Sequence, residues 1–251
     1  MKDKSLFKKA FEFKETRGMI LSDNKAAITA ALISLKRNRE KLEEYINKHP
    51  SFLYSLQPVK ADDGPEIVKL MADAAEKAKV GPMAAVAGAL ADLAVGDMLL
   101  KGAKVAVVEN GGEASAFSNK PINVALRAGD HPLSGKIGFK LESFPIGVAT
   151  SSGVFSHAIS FGEAEAVTIF AKNAGLADAV ATGIGNLIKG DKPQKVIKYG
   201  VDKALSIEGV SGVVILYKGI IGMGGKIPTI LKVVKEGDVN SAHKLKSRRL
   251  S

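Results

Sequence analysis

The sequence contains no cysteine and no tryptophan among its 251 residues. The lack of cysteine excludes disulfides, thiolate metal sites, iron–sulfur clusters and a covalent persulfide on this chain. Aromatic residues make up only 6% of the chain, whereas hydrophobic residues make up 46%, an ordinary share for a soluble globular protein. The core must therefore be built mainly from Ala, Val, Ile and Leu.

Neither a secretory signal nor a convincing membrane span is predicted from the sequence. Residues 1–13 are too charged to contain the apolar segment of a secretory signal. The longest weakly polar run, residues 80–100, has the length of a membrane span, but Asp92 and Asp97 lie inside it, which favours a buried helix of a soluble protein. We therefore expect a cytoplasmic protein with no membrane partner.

Motifs for nucleophilic catalysis and dinucleotide binding are missing as well. No G-x-S-x-G, S-x-x-K or Cys/His constellation supports nucleophilic catalysis, and three of the four histidines, at positions 49, 131 and 243, show no metal-ligand spacing. The glycine-rich run G-M-G-G at 222–225 lies between two apolar stretches, which predicts a hairpin turn and not the loop of a Rossmann fold.

The net charge of +10 belongs to the two ends of the chain. Residues 1–60 carry a net charge of +6, residues 61–190 one of −3, and residues 191–251 one of +7. A nucleic-acid site normally holds its positive charge where it binds, whereas the candidate motifs here lie in the slightly acidic segment. We therefore expect no specific nucleic-acid partner, and a basic, flexible tail from about residue 240.

Hydrophobic periodicity predicts a mixed α+β fold with largely antiparallel sheets, in a single domain over residues 1–251. Helices come mostly early and strands mostly follow, with helices returning late. The segment 51–58 is predicted as a loop or short turn. The predicted helices cover residues 25–47, 66–79, 83–100, 176–189 and 193–205, and the predicted strands cover 7–21, 104–109, 113–117, 122–126, 136–141, 146–149, 166–171, 213–217, 220–221 and 227–234.

Small residues form a stripe on the predicted helix 83–100, where Ala84, Gly88 and Gly96 fall four or eight residues apart. Glycine within a helix costs roughly 1 kcal/mol relative to alanine. Close approach to a sheet, another helix or a ligand would explain the stripe, and tight packing alone is the alternative.

A polar pair on the predicted helix 176–189 could bind a cation. Asp178 and Thr182 are four residues apart and share one helix face, and Asn186 extends the same face. Oxygen ligands of this kind suit Mg²⁺, which commonly binds through one or two carboxylates together with phosphate oxygens of a substrate. The alternative is that Asp178 only complements the dipole of the helix N-terminus.

Two strand ends carry candidate ligand-binding residues. Glu109, Asn110, Gly111 and Gly112 end one predicted strand, where backbone freed of side chains can line a ligand. A second strand ends in the run 150–153, and the alternative there is a polar turn between strands. His157 is a candidate general acid, base or ligand contact, with a purely structural role as the alternative. The hydroxyl and glycine residues of the second run are Thr150, Ser151, Ser152 and Gly153.

Taken together, these motifs resemble an uncharacterised protein family of archaea and anaerobic bacteria that is related to the ApbE-type flavin transferases. The similar runs are V-G-P-M-A-A-V-A-G-A at 80–89, E-N-G-G at 109–112, T-S-S-G at 150–153 with His157, F-G-E-A-E-A-V at 161–167 and A-D-A-V-A-T at 177–182. ApbE-type enzymes depend on Mg²⁺, use FAD as donor and attach FMN to a threonine of a target protein, and some hydrolyse FAD. The resemblance implies an α+β fold with a T-fold-like core.

The resemblance also implies roles for particular residues. It assigns Mg²⁺ to Asp178 and Thr182, with a main-chain carbonyl near Val86 or Ala87 as the third ligand. The glycine pair that precedes an Asp in the enzymes resembles Gly111 and Gly112 before Glu113, and the Thr-Ser-Gly of the enzymes resembles the run 150–153 with an extra Ser.

The sequence departs from the flavin transferases at two places. The enzymes' Asp-Leu-Gly-Gly-Ile-Ala-Lys-Gly stretch corresponds to residues 80–88, which contain neither the Asp nor the Lys. The Tyr and Arg that follow Thr-Ser-Gly in the enzymes are replaced by Val154 and Phe155. A fold can persist while its chemistry changes. These departures argue against flavin transfer itself.

The sequence supports two hypotheses about function. The first is a protein that binds a phosphorylated or flavin-like small molecule, FAD or FMN among the possibilities, together with Mg²⁺. The alternative is an accessory protein without flavin chemistry in anaerobic sulfur assimilation toward homocysteine; lacking cysteine, it would act with a Cys-bearing partner protein. Whether the chain is an enzyme, and whether it forms a homodimer, stay open at this point.

Overall fold

A computed structural model describes residues 6–14, 16–125, 137–153 and 162–232. Eight strands form one sheet in the order β1-β2-β3-β4-β7-β8-β9-β10, and three more form a second sheet in the order β11-β6-β5. The strands are Phe7–Phe13 (β1), Thr16–Ser22 (β2), Val105–Asn110 (β3), Glu113–Ser118 (β4), Ile122–Ala125 (β5), Ile137–Leu141 (β6), Ile146–Ser151 (β7), Ala166–Ala171 (β8), Val210–Tyr217 (β9), Ile220–Gly225 (β10) and Thr229–Lys232 (β11).

Helices cover one face of the large sheet. A 3-10 turn, Pro82–Ala85, leads into the fourth of them. The helices are Lys25–Lys48 (α1), Pro50–Tyr54 (α2), Glu66–Ala78 (α3), Val86–Leu100 (α4), Ala174–Leu187 (α5) and Pro193–Leu205 (α6). All strand pairs in the described residues are antiparallel, which confirms the predicted α+β class with largely antiparallel sheets.

Strand alternation divides the core into two layers. On β3, Ala106 and Val108 pack against the helices, whereas Val105 and Val107 pack against the small sheet. Successive side chains of a strand point to opposite faces, so the continuous apolar run of β3 is typical of a strand buried on both sides. The small sheet therefore lies on the large sheet opposite the helices.

The apolar stretch Pro82–Leu100 becomes the central helix of this fold. Among the described residues it is the one helical stretch that is long and apolar enough to cross a membrane by length and composition. Here α4 packs against α1, α5, β3 and β4. Its two carboxylates are also used within the fold, since Asp92 accepts hydrogen bonds from the start of α5 and Asp97 pairs with Arg37.

The glycine-rich run 222–225 is not the hairpin turn that the sequence predicted. It forms most of the edge strand β10, and the turn lies earlier, at Lys218 and Gly219, which both have positive φ. The glycines are required because α6 lies directly over the strand. A Cβ added at Gly222 would come within 2.1 Å of a side-chain carbon of Ile197, and one at Gly224 within 2.4 Å of Val201.

Two further predictions from the sequence need correction. Residues 51–54 belong to the short helix α2 and are not a loop, because Pro50 occupies a position at the start of a helix that tolerates its missing N–H. The two glycines of the small-residue stripe on α4 also have different surroundings. A Cβ on Gly88 would come within 2.2 Å of the carbonyl oxygen of Ala174, whereas one on Gly96 would meet nothing within 4 Å. Close helix packing explains the first glycine only.

Candidate functional site

A groove of about 760 Å³ opens between the large sheet and the small sheet. It brings together four of the residues selected from the sequence, namely Glu109, Gly111, Gly112 and Thr150. The groove combines apolar and aromatic walls with charged side chains on its rim. The other residues that line it are Lys8, Phe11, Arg17, Gly18, Met19, Val107, Ala114, Val124, Phe139 and Val148.

Strand alternation explains how Glu109 and Thr150 reach the groove. Glu109 follows Val107 by two residues on β3, and Thr150 follows Val148 by two residues on β7, so each shares a face with an apolar residue of the groove. The hydroxyl of Thr150 lies 2.9 Å from that of Thr168 on the neighbouring strand. The polar groups therefore stand where the apolar floor of the groove ends.

The tight turn between β3 and β4 forms one wall. Gly111 and Gly112 have φ of 71° and 122°, conformations that glycine adopts without steric cost. The N–H of Gly111 donates to the carbonyl oxygen of Arg17 at 2.9 Å and thereby ties the turn to β2. A Cβ added at Gly18 would lie 1.9 Å from the carbonyl oxygen of Glu109, so the close approach of β2 to β3 also depends on glycine.

The proposed metal pair lies on the opposite face of the large sheet. Asp178 and Thr182 are half-buried on α5, one helical turn apart. An oxygen of Asp178 accepts a hydrogen bond from the N–H of Gly88 at 3.0 Å. The pKa of Asp178 is raised to about 7, first by burial and then by the charge of Asp92, although the N–H groups of Gly88 and Ala87 act to lower it.

Glu113 connects this acidic region to the groove, although the sequence motifs assign it no site role of its own. Burial raises the pKa of Glu113 well above its usual range, with further contributions from the negative charges of Asp178 and then of Glu109. Its carboxylate oxygen lies 3.4 Å from where a Cβ on Gly111 would be. A row of carboxylates thus runs from the groove at Glu109, through Glu113, to Asp178.

The remaining candidate site residues face the helix layer or form hydrogen bonds with the main chain. The side-chain amide of Asn110 donates to the carbonyl oxygen of Ala87 at 3.0 Å, so one of the two carbonyls that the resemblance gave as a possible third metal ligand already accepts a hydrogen bond. The hydroxyl of Ser151 would be 3.4 Å from a Cβ on Gly185 of α5. Ser152 is buried, and the N–H of Gly153 donates to Ala164 at 2.9 Å.

His157 lies outside the described residues, as do Val154 and Phe155. The site that the sequence grouped into continuous motifs is therefore divided by the sheet. Glu109 and Thr150 face the groove, whereas Asn110, Ser151 and Asp178 face the helix layer.

The donor set at Asp178 fits Mg²⁺ only in part. Within the described part of the chain, no group of three or more His, Cys, Asp or Glu side chains is arranged to hold an ion. Mg²⁺ does not need such a cage, because it retains waters and commonly uses one or two protein carboxylates with substrate phosphates. Mg²⁺ coordination of this kind is possible at Asp178, which supplies one carboxylate, and at Thr182, which supplies a hydroxyl. The neighbouring acidic groups Glu113 and Asp92 would add to the attraction for a cation.

The family model described as "AbpE bacteria" matches residues 4–205. A UPF0280 protein of Methanococcus vannielii is 42% identical over 236 residues, covering 92% of this chain and 95% of the relative. UPF0280 protein MJ1526 of Methanocaldococcus jannaschii is 42% identical over 234 residues, with 91% and 95% covered. The chain belongs to this ApbE-related family. The resemblance stated from the motifs is confirmed.

Solved structures of ApbE proteins have the same fold as this UPF0280-type chain. The apo form of the flavinyl transferase ApbE from Pseudomonas stutzeri superposes with a TM-score of 0.60 at 14% identity, covering 88% of this chain and 94% of that one. The ApbE protein from Thermotoga maritima gives a TM-score of 0.58 at 14% identity, with 88% and 97% covered. At such low identity the likeness concerns the fold alone. None of these relatives lends support to the accessory role in sulfur assimilation.

Proposed function

We propose that this ApbE-like protein binds a phosphorylated or flavin-like small molecule in the groove, with Mg²⁺ at Asp178 and Thr182. The observation that carries the proposal is the groove itself, in which aromatic and apolar walls stand beside two cationic side chains. Its volume of about 760 Å³ lies within the range of ligand pockets, roughly 300 to 1,000 Å³.

The walls suit a flat aromatic ring system. Phe139 contributes a ring surface, and Met19, Val107 and Val148 contribute apolar area. Phe139 is held by an edge-to-face contact with Phe170, at 4.9 Å between ring centroids, so its position is fixed before a ligand arrives. Glu109 can accept a hydrogen bond from an N–H on the edge of such a ring.

The rim suits a phosphate. Lys8 and Arg17 are exposed at the groove, and neither forms an ion pair with another residue in the described ranges. Arginine matches phosphate oxygens with two parallel N–H groups, and lysine supplies a point charge. A ligand with both an aromatic ring and a phosphate would use the walls and the rim together, which favours a nucleotide-like molecule over a purely apolar one.

In this proposal the ligand extends from the groove past the turn between β3 and β4, along the row of Glu109 and Glu113, to the other face of the sheet, where Mg²⁺ would neutralise charge on its phosphate oxygens. Asp178 and Thr182 would hold it, because an ionised Asp178 beside Asp92 and Glu113 is costly unless a cation is near. The proposal stops at binding. The Asp and Lys of the flavin-transferase stretch are absent from residues 80–88, where the main-chain groups of Ala87 and Gly88 contact Asn110 and Asp178 instead.

Titration calorimetry with FAD, FMN and ADP, each with and without Mg²⁺, tests the proposal. We expect binding of at least one flavin nucleotide and a loss of affinity of roughly 5- to 30-fold in Lys8→Ala, for one charge-assisted contact. Lys9→Ala is the matched control, since Lys9 is the next residue of β1, is also exposed and does not line the groove. No binding of any of the three ligands, or equal losses in both variants, would contradict the proposal.

The metal is tested separately from the groove. With Asp178→Asn, the Mg²⁺-dependent part of the affinity should disappear while binding without Mg²⁺ is unchanged. If Mg²⁺ has the same effect on this variant and on the unmodified protein, Asp178 is not a ligand of the ion.

A further inference from the structure

The strand β10 forms an edge of the large sheet that lacks the protection the other edge has. In the described residues no strand pairs with its outer side. Its sequence, I-I-G-M-G-G, contains no charge and no proline, whereas β1 at the opposite edge carries Lys8, Lys9 and Glu12. Natural sheets usually place charges, prolines or bulges on exposed edges, because an unpaired edge is a template for another strand.

The side chains of β10 also leave an apolar surface uncovered. Ile221 and Met223 are 52% and 53% exposed and point to the face opposite α6. Lys218, at the start of the strand, is turned away from the edge, since its ammonium contacts the carbonyl of Gly190 at 3.0 Å and the carboxylate of Asp191 at 3.5 Å. The open edge is therefore both apolar and uncharged along its length.

We propose that β10 pairs with β10 of a second copy of this chain in antiparallel orientation, which joins the two large sheets across a twofold axis at Met223. In this register Met223 lies opposite the partner's Met223, and Ile221 lies opposite the partner's Gly225, where no side chain obstructs it. On the other face Gly222 meets the partner's Gly224. A twofold axis requires such a self-complementary arrangement.

Charges on α6 favour a second copy over a different partner. Gly200 faces Ile184 and Ile215 on the inner side of the helix, while Ile197 and Val201 lie over β10. Helical spacing then places Lys198 and Asp202 on the side toward the open edge. Gly222 lies under Ile197, and Gly224 lies under Val201. The axis at Met223 therefore passes between these two helix positions. It brings Lys198 of each copy level with Asp202 of the other copy. These two residues, paired within the helix at 3.2 Å, can exchange partners across the axis.

A single-cysteine variant tests this register directly, because the chain contains no cysteine. Residues that face each other across the axis satisfy the Cα separation of a disulfide, about 4.4 to 6.8 Å. Met223→Cys should therefore form a disulfide-linked dimer in most chains under mild oxidation and revert on reduction. Ile221→Cys is the matched control, because Ile221 is equally exposed. In this register residue 221 of one chain lies several residues along the strand from residue 221 of the other chain, so this variant should give less than about a tenth of that disulfide yield.

The assembly itself is measured by sedimentation of the full chain. An interface formed by one short strand and the exposed side of one helix has a small buried area for a specific contact. The dimer should therefore dissociate on dilution from about 500 to 10 μM. Met223→Lys should be monomeric over this range and keep unchanged affinity for any groove ligand, since β10 does not line the groove. A monomer at all concentrations, equal crosslinking of both cysteine variants, or a monomer that binds an extended peptide on β10 would overturn the proposal.

Discussion

The main-chain N–H of Gly88 donates to a carboxylate oxygen of Asp178 at 3.0 Å and thereby links the start of α4 to the inner face of α5. This contact stabilises the ionised form of Asp178 but does not compensate for its burial. The pKa of Asp178 remains raised to about 7 because burial dominates and Asp92 adds a like charge. The residue is therefore held in place by the fold at a cost in stability near neutral pH.

Asp178→Asn should stabilise the protein at pH 8 and have no such effect at pH 4. Since the folded-state pKa of about 7 lies above the unfolded value of 3.8, the folded protein binds more protons between these values, and its stability falls as pH rises through this window. The full difference corresponds to at most about 4 kcal/mol, and we expect a gain on the order of 1 to 3 kcal/mol because the amide is a weaker acceptor for Gly88.

Urea unfolding at both pH values, in the presence of a chelator, measures this gain. The unmodified protein titrated over the same range is the reference. A variant that is less stable than the unmodified protein at pH 8, or a gain of the same size at pH 4, would show that Asp178 is not held ionised against its burial.

The positions of the strands and helices along the chain could largely be predicted from the sequence, whereas their order in the two sheets was not predicted. The periodicity of α1 and α6 and the apolar run of β8 gave bounds within a few residues of those observed. The error at residues 222–225 has a physical cause. Glycine is common both in turns and where another element approaches closely, and only the position of α6 decides between the two.

The site was harder to predict because sequence motifs are continuous and strand faces alternate. Glu109 and Asn110 are neighbours in the sequence, yet one lines the groove and the other bonds to Ala87 beneath the sheet. The groove residues Phe11 and Phe139 come from strands far apart in the chain, and no local pattern could bring them together. Glu113 could have been found, since it follows a double-glycine turn and alternates with the buried residues Ala114 and Ala116.

Gly88→Ala should destabilise the protein, whereas Gly96→Ala on the same helix should not. A Cβ at Gly88 would come within 2.2 Å of the carbonyl oxygen of Ala174, so α4 and α5 must separate, at a cost of about 2 to 4 kcal/mol. At Gly96 nothing lies within 4 Å of the added carbon, and the better helix propensity of alanine should contribute about 0.5 to 1 kcal/mol. Thermal unfolding of both variants measures the difference. Similar melting temperatures would contradict the close contact of the two helices.

Asp92→Ala should cost much more stability than Asp97→Ala, although both carboxylates lie on α4. The two oxygens of Asp92 accept hydrogen bonds from the N–H groups of Ala174 and Gly175, at 2.9 and 2.8 Å, and so satisfy main-chain donors at the start of α5.

Removing Asp92 leaves these donors buried without a partner, because Ala174 and Gly175 are themselves buried, and we expect a loss of about 2 to 4 kcal/mol at pH 7. Asp97 forms a partly exposed ion pair with Arg37, which contributes less than about 1 kcal/mol. Chemical denaturation of both variants gives the comparison, with hydrogen exchange at the first turn of α5 as a local measurement. Unchanged protection of these amides in Asp92→Ala would mean that Asn173, whose side chain accepts from Leu176 at 2.9 Å, caps the helix adequately alone.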